Sequence, residues 1–184
     1  MNNKVLKNPI LRKTVFAALL AALVCAATMV ITIPSPLGGF LNLGDGFVLL
    51  SGWLLGPLYG FAAGGIGSAL ADLFLGYPVY IPGTFVIKGL SALLASVLCA
   101  AFCRMMKNKT LPPLLASLVA EAEMVAGYFA YAAIVRGKGL AAAASIPGNL
   151  AQGAAGIIVF MLCFVLFEKY HLKDRLLRRY SGDT

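Results

Sequence analysis

The stretch "GFVLLSGWLLGPLYGFAAGGIGSALA", residues 46–71, carries no charged side chain. A membrane-spanning helix needs only about 20 apolar residues, so this stretch is either one long span or two short ones. Within it, Gly56 and Pro57 indicate a break, because glycine commonly ends a helix and proline suits the first turn of the next one. We therefore predict two consecutive helices here, of which the first, residues 45–55, is short.

The rest of the chain is similarly apolar. Of its 184 residues, 60% are hydrophobic and 12% are charged, and the mean hydropathy is +0.88. Soluble domains are about half apolar and a quarter charged, so this composition indicates an integral membrane protein. We expect a single transmembrane domain over residues 1–184, embedded in the lipid bilayer of the cell membrane.

Six apolar stretches predict an all-α bundle of six transmembrane helices. They lie at about 13–33, 45–55, 57–75, 83–105, 111–135 and 146–170. With six spans both termini share a side, and that side carries 12 of the 15 basic residues: Lys4, Lys7, Arg12, Lys13, Arg104, Lys107, Lys109, Lys169, Lys173, Arg175, Arg178 and Arg179. Five spans would put the two basic ends on opposite sides, so the positive-inside bias favours six spans with both termini in the cytoplasm.

The residue pattern also argues against several functions. The net charge of +8 comes from chain ends and short loops, not from a basic groove with interleaved aromatic residues, so we expect no nucleic-acid partner. The four cysteines show no zinc-ligand spacing, and no Ser/His or metal-ligand constellation is evident. We therefore expect no catalytic residue, no metal and no cofactor, and we do not expect an enzyme.

The first span, which contains "FAALLAALVCAAT" at residues 16–28, has a small residue at almost every turn. Small residues recur at intervals of four and form two adjacent stripes along the helix, Ala17-Ala21-Cys25 and Ala18-Ala22-Ala26. In lipid, small residues favour close approach of helix backbones. Together the stripes predict a broad, flat face, which packs either inside this chain's own bundle or against a partner.

Ionisable groups at membrane depth are costly and indicate function by default. Asp72 and Lys88 fall at similar depths in spans three and four, which predicts an ion pair between these helices. Glu121 and Glu123 lie near the middle of span five, about 200° apart around the helix. We expect one of these carboxylates to face a ligand cavity and the other to face a neighbouring helix.

Further polar and aromatic residues predict a pocket in the outer half of the bundle. Span six contributes Asn149 and Gln152, and span five contributes Tyr128 and Tyr131. Two outer loops, residues 34–45 and 76–82, have the composition of lids over a ligand. The candidate ligand contacts are Asn42, Tyr80, Lys88, Glu121, Tyr128, Tyr131, Asn149 and Gln152.

Three segments carry a resemblance to a known family: "NLGD" at residues 42–45, "LLGPLYGFAAGGIGSALADLFLGYP" at 54–78 and "IPGTFVIKGL" at 81–90. The chain resembles the substrate-binding S component of energy-coupling factor (ECF) vitamin transporters. It is most similar to members for hydroxymethylpyrimidine, a thiamine precursor, for pyridoxine-type vitamers or for riboflavin. The similarity covers essentially the whole chain and is strongest between Gly39 and Leu90.

This resemblance implies a function that the residues alone do not give. S components have no ATPase and dock through an alanine stripe of helix 1 on a transmembrane coupling subunit, which two cytoplasmic ATPases drive. The S component is thought to topple and carry its vitamin inward. The implied docking residues are Ala17, Ala18, Ala21 and Ala22.

An acidic pocket with tyrosines suits a small heteroaromatic ligand with amino or hydroxyl groups better than a phosphorylated one. The competing hypothesis is a self-sufficient, proton-coupled secondary transporter that uses Glu121 and Glu123. The sequence shows no inverted repeat, which is common in such carriers.

Overall fold

The computed structural model of the protein describes residues 9–34 and 40–172. The described residues form helices α1 (Pro9–Val30), α2 (Asp45–Leu55), α3 (Pro57–Phe74), α4 (Ile81–Met105), α5 (Leu111–Ala130) and α6 (Ile146–Lys169), and a short hairpin of β1 (Thr32–Pro34) and β2 (Phe40–Asn42). A π-helical turn (Tyr131–Val135) and a 3₁₀ segment (Gly139–Ser145) connect α5 to α6. The basic residues Lys4, Lys7, Lys173, Arg175, Arg178 and Arg179 lie outside the described residues.

The predicted break between α2 and α3 is confirmed. Helix α2 ends at Leu55 and α3 begins at Pro57, with Gly56 between them at a φ of 85°, a left-handed conformation that suits glycine. The six helices agree with the predicted stretches to within a few residues at each end. The antiparallel hairpin, in which Thr32 pairs with Asn42, was not predicted.

Four helical segments in the described part of the chain are long and apolar enough to cross a membrane. They are Ile10–Val30, Ile81–Met105, Leu111–Val135 and Gly139–Lys169, and Asp45–Leu55 is a shorter apolar helix. The protein is therefore a helical membrane bundle. Six spans with both termini in the cytoplasm remain a prediction.

Glycines let α3 approach three neighbouring helices, α1, α2 and α4. A Cβ atom on Gly60 would lie 2.6 Å from the Cα of Gly52 in α2, and one on Gly67 would lie 2.8 Å from Cβ of Val24 in α1. Both distances are too short for a real side chain, so these glycines set the distance between the helices. Close packing of this kind holds helices together in lipid.

The two small-residue stripes of α1 have different environments. Ala17 and Ala21 are buried in a cluster with Ala63 of α3, whereas Ala18, Ala22 and Ala26 are exposed on the surface of the bundle. The expectation that Ala17 and Ala21 face a partner is therefore wrong. Neighbouring residues point about 100° apart on a helix, and the glycine-rich face of α3 covers only one of the two stripes.

An apolar core fills one end of the bundle. It is built from the C-terminal halves of α2, α4 and α6 and the first half of α5, and it contains Leu49, Leu50, Trp53, Ala95, Cys99, Ala116, Ala120, Phe160 and Phe164. The ring of Trp53 packs edge-on against Phe164, with centroids 5.2 Å apart. Most of the buried charged and polar side chains, including Asp45, Asp72, Lys88 and Gln152, lie towards the opposite end.

The contact between α1 and α3 gives a direct test of the fold. Gly67→Ala should lower the free energy of unfolding by about 1–3 kcal/mol, because the added Cβ meets the backbone oxygen of Ala21 and the side chain of Val24. Thermal unfolding of the detergent-solubilised protein measures this change.

Gly148→Ala is the matched control for that substitution. Its Cβ would meet only the flexible side chain of Leu41, at 3.2 Å or more, so the better helix propensity of alanine is gained at little cost. An equal loss of stability in both variants would contradict the close approach of α1 to α3.

Candidate ligand-binding site

A cavity opens at the polar end of the bundle. It is surrounded by the end of α1, strand β2, the last two turns of α3, the first turns of α4 and α6, the end of α5, and the segments that connect α3 to α4 and α5 to α6. Its lining residues are Thr28, Phe40, Asn42, Ser68, Asp72, Tyr80, Thr84, Lys88, Tyr128, Ala132, Lys138, Ser145, Asn149 and Gln152. The cavity thus combines aromatic rings, hydroxyl groups, amides and charged groups, the mixture found in sites for small polar ligands.

The structure brings six of the eight predicted contact residues to this cavity. They are Asn42, Tyr80, Lys88, Tyr128, Asn149 and Gln152. Tyr131 and Glu121 do not line it. Both predicted lid segments contribute, through Phe40 and Asn42 of one and Tyr80 of the other, while residues 35–39 lie outside the described residues.

Lys88 forms a buried ion pair with Asp45, not with Asp72. The ammonium group of Lys88 contacts Oδ1 of Asp45, and both side chains are almost completely buried. The predicted pair between Asp72 and Lys88 is therefore wrong. That prediction rested only on the similar depths of the two residues along α3 and α4. The first turn of α2, however, brings Asp45 into the bundle interior beside α4.

Gln152 extends this ion pair into a network. Its Nε2 donates a hydrogen bond to Oδ2 of Asp45 at 2.7 Å, and its Oε1 accepts one from the backbone N–H of Asn42 at 3.0 Å. The side-chain oxygen of Asn42 accepts from the N–H of Gly44 at 2.8 Å. These bonds fasten the hairpin, α2 and α6 to one another around the pair of charges.

The two glutamates of α5 lie outside the cavity. Glu123 accepts a hydrogen bond from the hydroxyl group of Ser91 at 2.9 Å and thereby faces α4, as expected for one of the two. Glu121 is buried against the bare backbone of α6, where a Cβ on Gly153 would lie 3.1 Å from its Oε2. The expectation that one glutamate faces the cavity is therefore wrong.

Aromatic rings form a rim at the mouth of the cavity. Phe40 lies 5.0 Å from Tyr77, measured between ring centroids, and the rings of Tyr77, Tyr80 and Tyr131 follow at intervals of 6.3 Å. The guanidinium group of Arg136 lies over the Tyr80 ring, 4.5 Å from its centroid. Burial raises the pKa of Tyr80, and the Arg136 cation partly opposes this, so the phenol is neutral at physiological pH.

The rim also explains the position of Tyr131. Its hydroxyl group donates to the backbone oxygen of Val79 at 2.5 Å, and its ring lies against Gly83. Tyr131 thus supports the loop that carries Tyr80 and does not face the cavity itself.

Three residues line the cavity but were not predicted from the sequence: Thr28, Ser68 and Thr84. Ser68 precedes Asp72 by four positions and Thr28 follows Cys25 by three, so each lies about one helical turn from a residue already singled out. Both positions share a face with residues already singled out, which is the signal that identifies them.

The ion pair can be tested by a double-mutant cycle. Lys88→Met and Asp45→Asn should each destabilise the protein by about 3–5 kcal/mol, because each leaves one buried charge without its partner. The double variant should lose clearly less than the sum of the two, as measured by denaturant unfolding in detergent.

Asp72→Asn serves as the control for this cycle. Its coupling with Lys88→Met should be clearly weaker than that of Asp45→Asn, because Lys88 forms its ion pair with Asp45. Additive losses for the Asp45 and Lys88 variants, or equal or stronger coupling between the Asp72 and Lys88 variants, would contradict the observed pairing.

Comparison with known proteins places the chain in a family. A relative from Pyrococcus woesei, described as an uncharacterized protein in a gap 3′ region, is 38% identical over 137 residues, which cover 74% of this chain and 88% of that one. A solved structure, described as the S component of a bacterial ECF transporter, has the same fold, with a TM-score of 0.67 and 22% identity over 86% of this chain and 96% of the other.

The sequence model of a family described as "ECF-type riboflavin transporter, S component" matches residues 9–169. The match confirms the resemblance seen in the sequence, and it agrees with a multi-pass protein of the plasma membrane. The chain therefore belongs to the family of ECF-type riboflavin transporter S components, the vitamin-binding subunits of these transporters.

Proposed function

We propose that this chain captures a small heteroaromatic vitamin or vitamin precursor in the cavity and passes it to an ATP-driven ECF module. That module consists of a transmembrane coupling subunit and two cytoplasmic ATPases. The observation that carries the proposal is the polar and aromatic cavity at one end of an S-component fold. The ligand we favour is hydroxymethylpyrimidine or a pyridoxine-like compound, with riboflavin as the further candidate that the family description supports.

The lining of the cavity supports a flat, uncharged ring system. Phe40, Tyr80 and Tyr128 provide aromatic faces, and planar heterocycles pack well against such faces. Asn149 supplies an amide for orienting the ligand. Lys88 is already paired with Asp45, so the buried cation of the cavity lining is neutralised, which disfavours a phosphorylated ligand.

The exposed stripe Ala18-Ala22-Ala26 supports docking to the coupling subunit. It presents a smooth surface on α1, on which another transmembrane helix can approach closely. The buried side of the same helix carries Thr28 into the cavity. Helix α1 thus connects the ligand site with the proposed docking face.

The alternative, a proton-coupled carrier that uses Glu121 and Glu123, is less well supported. Neither carboxylate lines the cavity, and Glu123 is engaged by Ser91. The family match also favours a binding subunit over a self-sufficient carrier.

Ligand binding by the purified chain tests the proposed function. Mass spectrometry should find a small heteroaromatic compound that copurifies with the protein, and calorimetry should give a binding constant for it. Asn149→Ala should weaken binding about 10-fold, the value of one hydrogen bond to the ligand.

Leu150→Ala is the matched control, because Leu150 follows Asn149 directly but points to the surface of the bundle. Its affinity should equal that of the wild type. If no such compound binds, or if both variants bind as the wild type does, the cavity is not the proposed site.

The docking face is tested by enlarging its side chains. The double variant Ala18→Leu with Ala22→Leu should retain ligand affinity but lose at least about 90% of its association with the ECF module and of ATP-dependent uptake, because the added side chains prevent close helix approach. Copurification and uptake measure the two effects.

The same change on α6, Ala151→Leu with Ala154→Leu, is the control, because these alanines are also exposed on a membrane helix. It should leave both association and uptake intact. Equal losses in the two double variants, or retained uptake in the α1 variant, would refute docking through α1.

A further inference from the structure

Three buried side-chain oxygens in the described part of the chain have no hydrogen-bond partner within the protein: Ser68 Oγ, Asp72 Oδ2 and Glu121 Oε2. Ser68 and Asp72 both line the cavity, and they are only 3% and 4% exposed. Buried polar groups in native proteins are nearly always paired, so an unpaired one needs an explanation. Two of them on the wall of one cavity indicate that a ligand supplies the missing partners.

The two residues lie side by side on α3. They are four positions apart, and this spacing places side chains on the same face of a helix, about 5–6 Å apart at Cβ. They do not bond to each other, since both oxygens lack a partner. The serine hydroxyl is able to donate a hydrogen bond, and an ionised carboxylate only accepts one. The wall therefore offers an acceptor next to a donor.

The surroundings of Asp72 keep this acceptor available. Lys88, a buried cation that lines the same cavity, forms its ion pair with Asp45 instead. Thr84 interacts with the Asp72 carboxylate, and its own oxygen accepts a hydrogen bond from the hydroxyl group of Tyr128 at 3.1 Å. Thr84 thus engages the carboxylate and is itself held by Tyr128, while Oδ2 is left without a hydrogen-bond partner.

We infer that Asp72 and Ser68 are the specificity-determining pair of the site and read a heteroaromatic edge that carries an N–H donor next to an acceptor. The ligand N–H donates to Oδ2 of Asp72, and the neighbouring ligand atom accepts from the hydroxyl group of Ser68. This inference rests on the proposed function and deepens it. Two of the candidate ligands carry such an edge: hydroxymethylpyrimidine has an amino group beside a ring nitrogen, and riboflavin has a ring N–H beside a carbonyl in its imide.

Paired probes test the inference and separate the two chemistries. For the first, the probes are 4-amino-5-hydroxymethyl-2-methylpyrimidine and its analogue without the amino group. For the second, they are riboflavin and 3-methylriboflavin. Calorimetry with the purified full chain gives the affinity ratio within each pair, for the wild type and for Asp72→Ala.

In the wild type, one pair should show at least a 10-fold preference for the parent compound, and the pair that does so identifies the chemistry. In Asp72→Ala this preference should fall below about 3-fold, because the partner of the N–H is gone. Glu123→Gln is the matched control, since it changes a carboxylate that does not line the cavity. Glu123→Gln should keep the wild-type affinity ratio. An unchanged ratio in this variant shows that the effect of Asp72→Ala does not come from a general loss of structure.

Ser68→Ala provides a second, smaller change in case Asp72→Ala does not fold. The probes for this variant change the ligand's acceptor: an analogue of the aminopyrimidine with CH in place of the adjacent ring nitrogen, and the 4-thio analogue of riboflavin. In Ser68→Ala the preference for the parent compound over its analogue should likewise fall below about 3-fold. An unchanged ratio in the folded variants overturns the inference alone. A wild-type chain that binds neither parent compound also overturns the inference, and if pyridoxine does not bind either, the proposed heteroaromatic ligand is overturned as well.

Discussion

The buried ion pair between Lys88 and Asp45 is the constraint on which the polar half of this protein depends. A single charge at membrane depth is costly, and a pair is tolerated only when its remaining hydrogen-bonding positions are also filled. Gln152 fills one of these positions on Asp45 and at the same time holds the backbone of Asn42. One cluster thus joins α2, α4, α6 and the hairpin, and within it Lys88 forms its ion pair with Asp45 and not with Asp72 on the wall of the cavity.

The two ends of the bundle differ in polarity, and the two sides of helix α1 differ in exposure. One end is closed by an apolar core around Trp53 and Phe164, which gives rigidity. The other end opens into the cavity with its aromatic rim. Helix α1 takes part in both functions that we propose, since Thr28 reaches the cavity while Ala22 lies on the opposite, exposed side. A ligand that alters the position of Thr28 therefore acts on the same helix that is proposed to meet the coupling subunit.

The elements of this fold are predictable from sequence because their signals are local. Gly56 and Pro57 mark the boundary between α2 and α3 by their own backbone preferences, and apolar length marks the other helices. The errors concern which partner a side chain meets. Lys88 pairs with Asp45 and not with Asp72, and Glu121 turns away from the cavity, because the rotation of each helix about its axis is decided by packing. Glycines on α3 and α6 determine that packing, and their effect becomes visible only when the facing helix is known.

We propose that this chain binds its ligand but does not transport it alone. The most direct measurement is uptake of the copurified ligand, radiolabelled, into proteoliposomes that contain this chain with or without an ECF module and internal or external ATP. We expect binding by the chain alone, and accumulation only when the module and ATP on the side of its ATPases are both present. Accumulation by the chain alone, driven by a proton gradient, would contradict it.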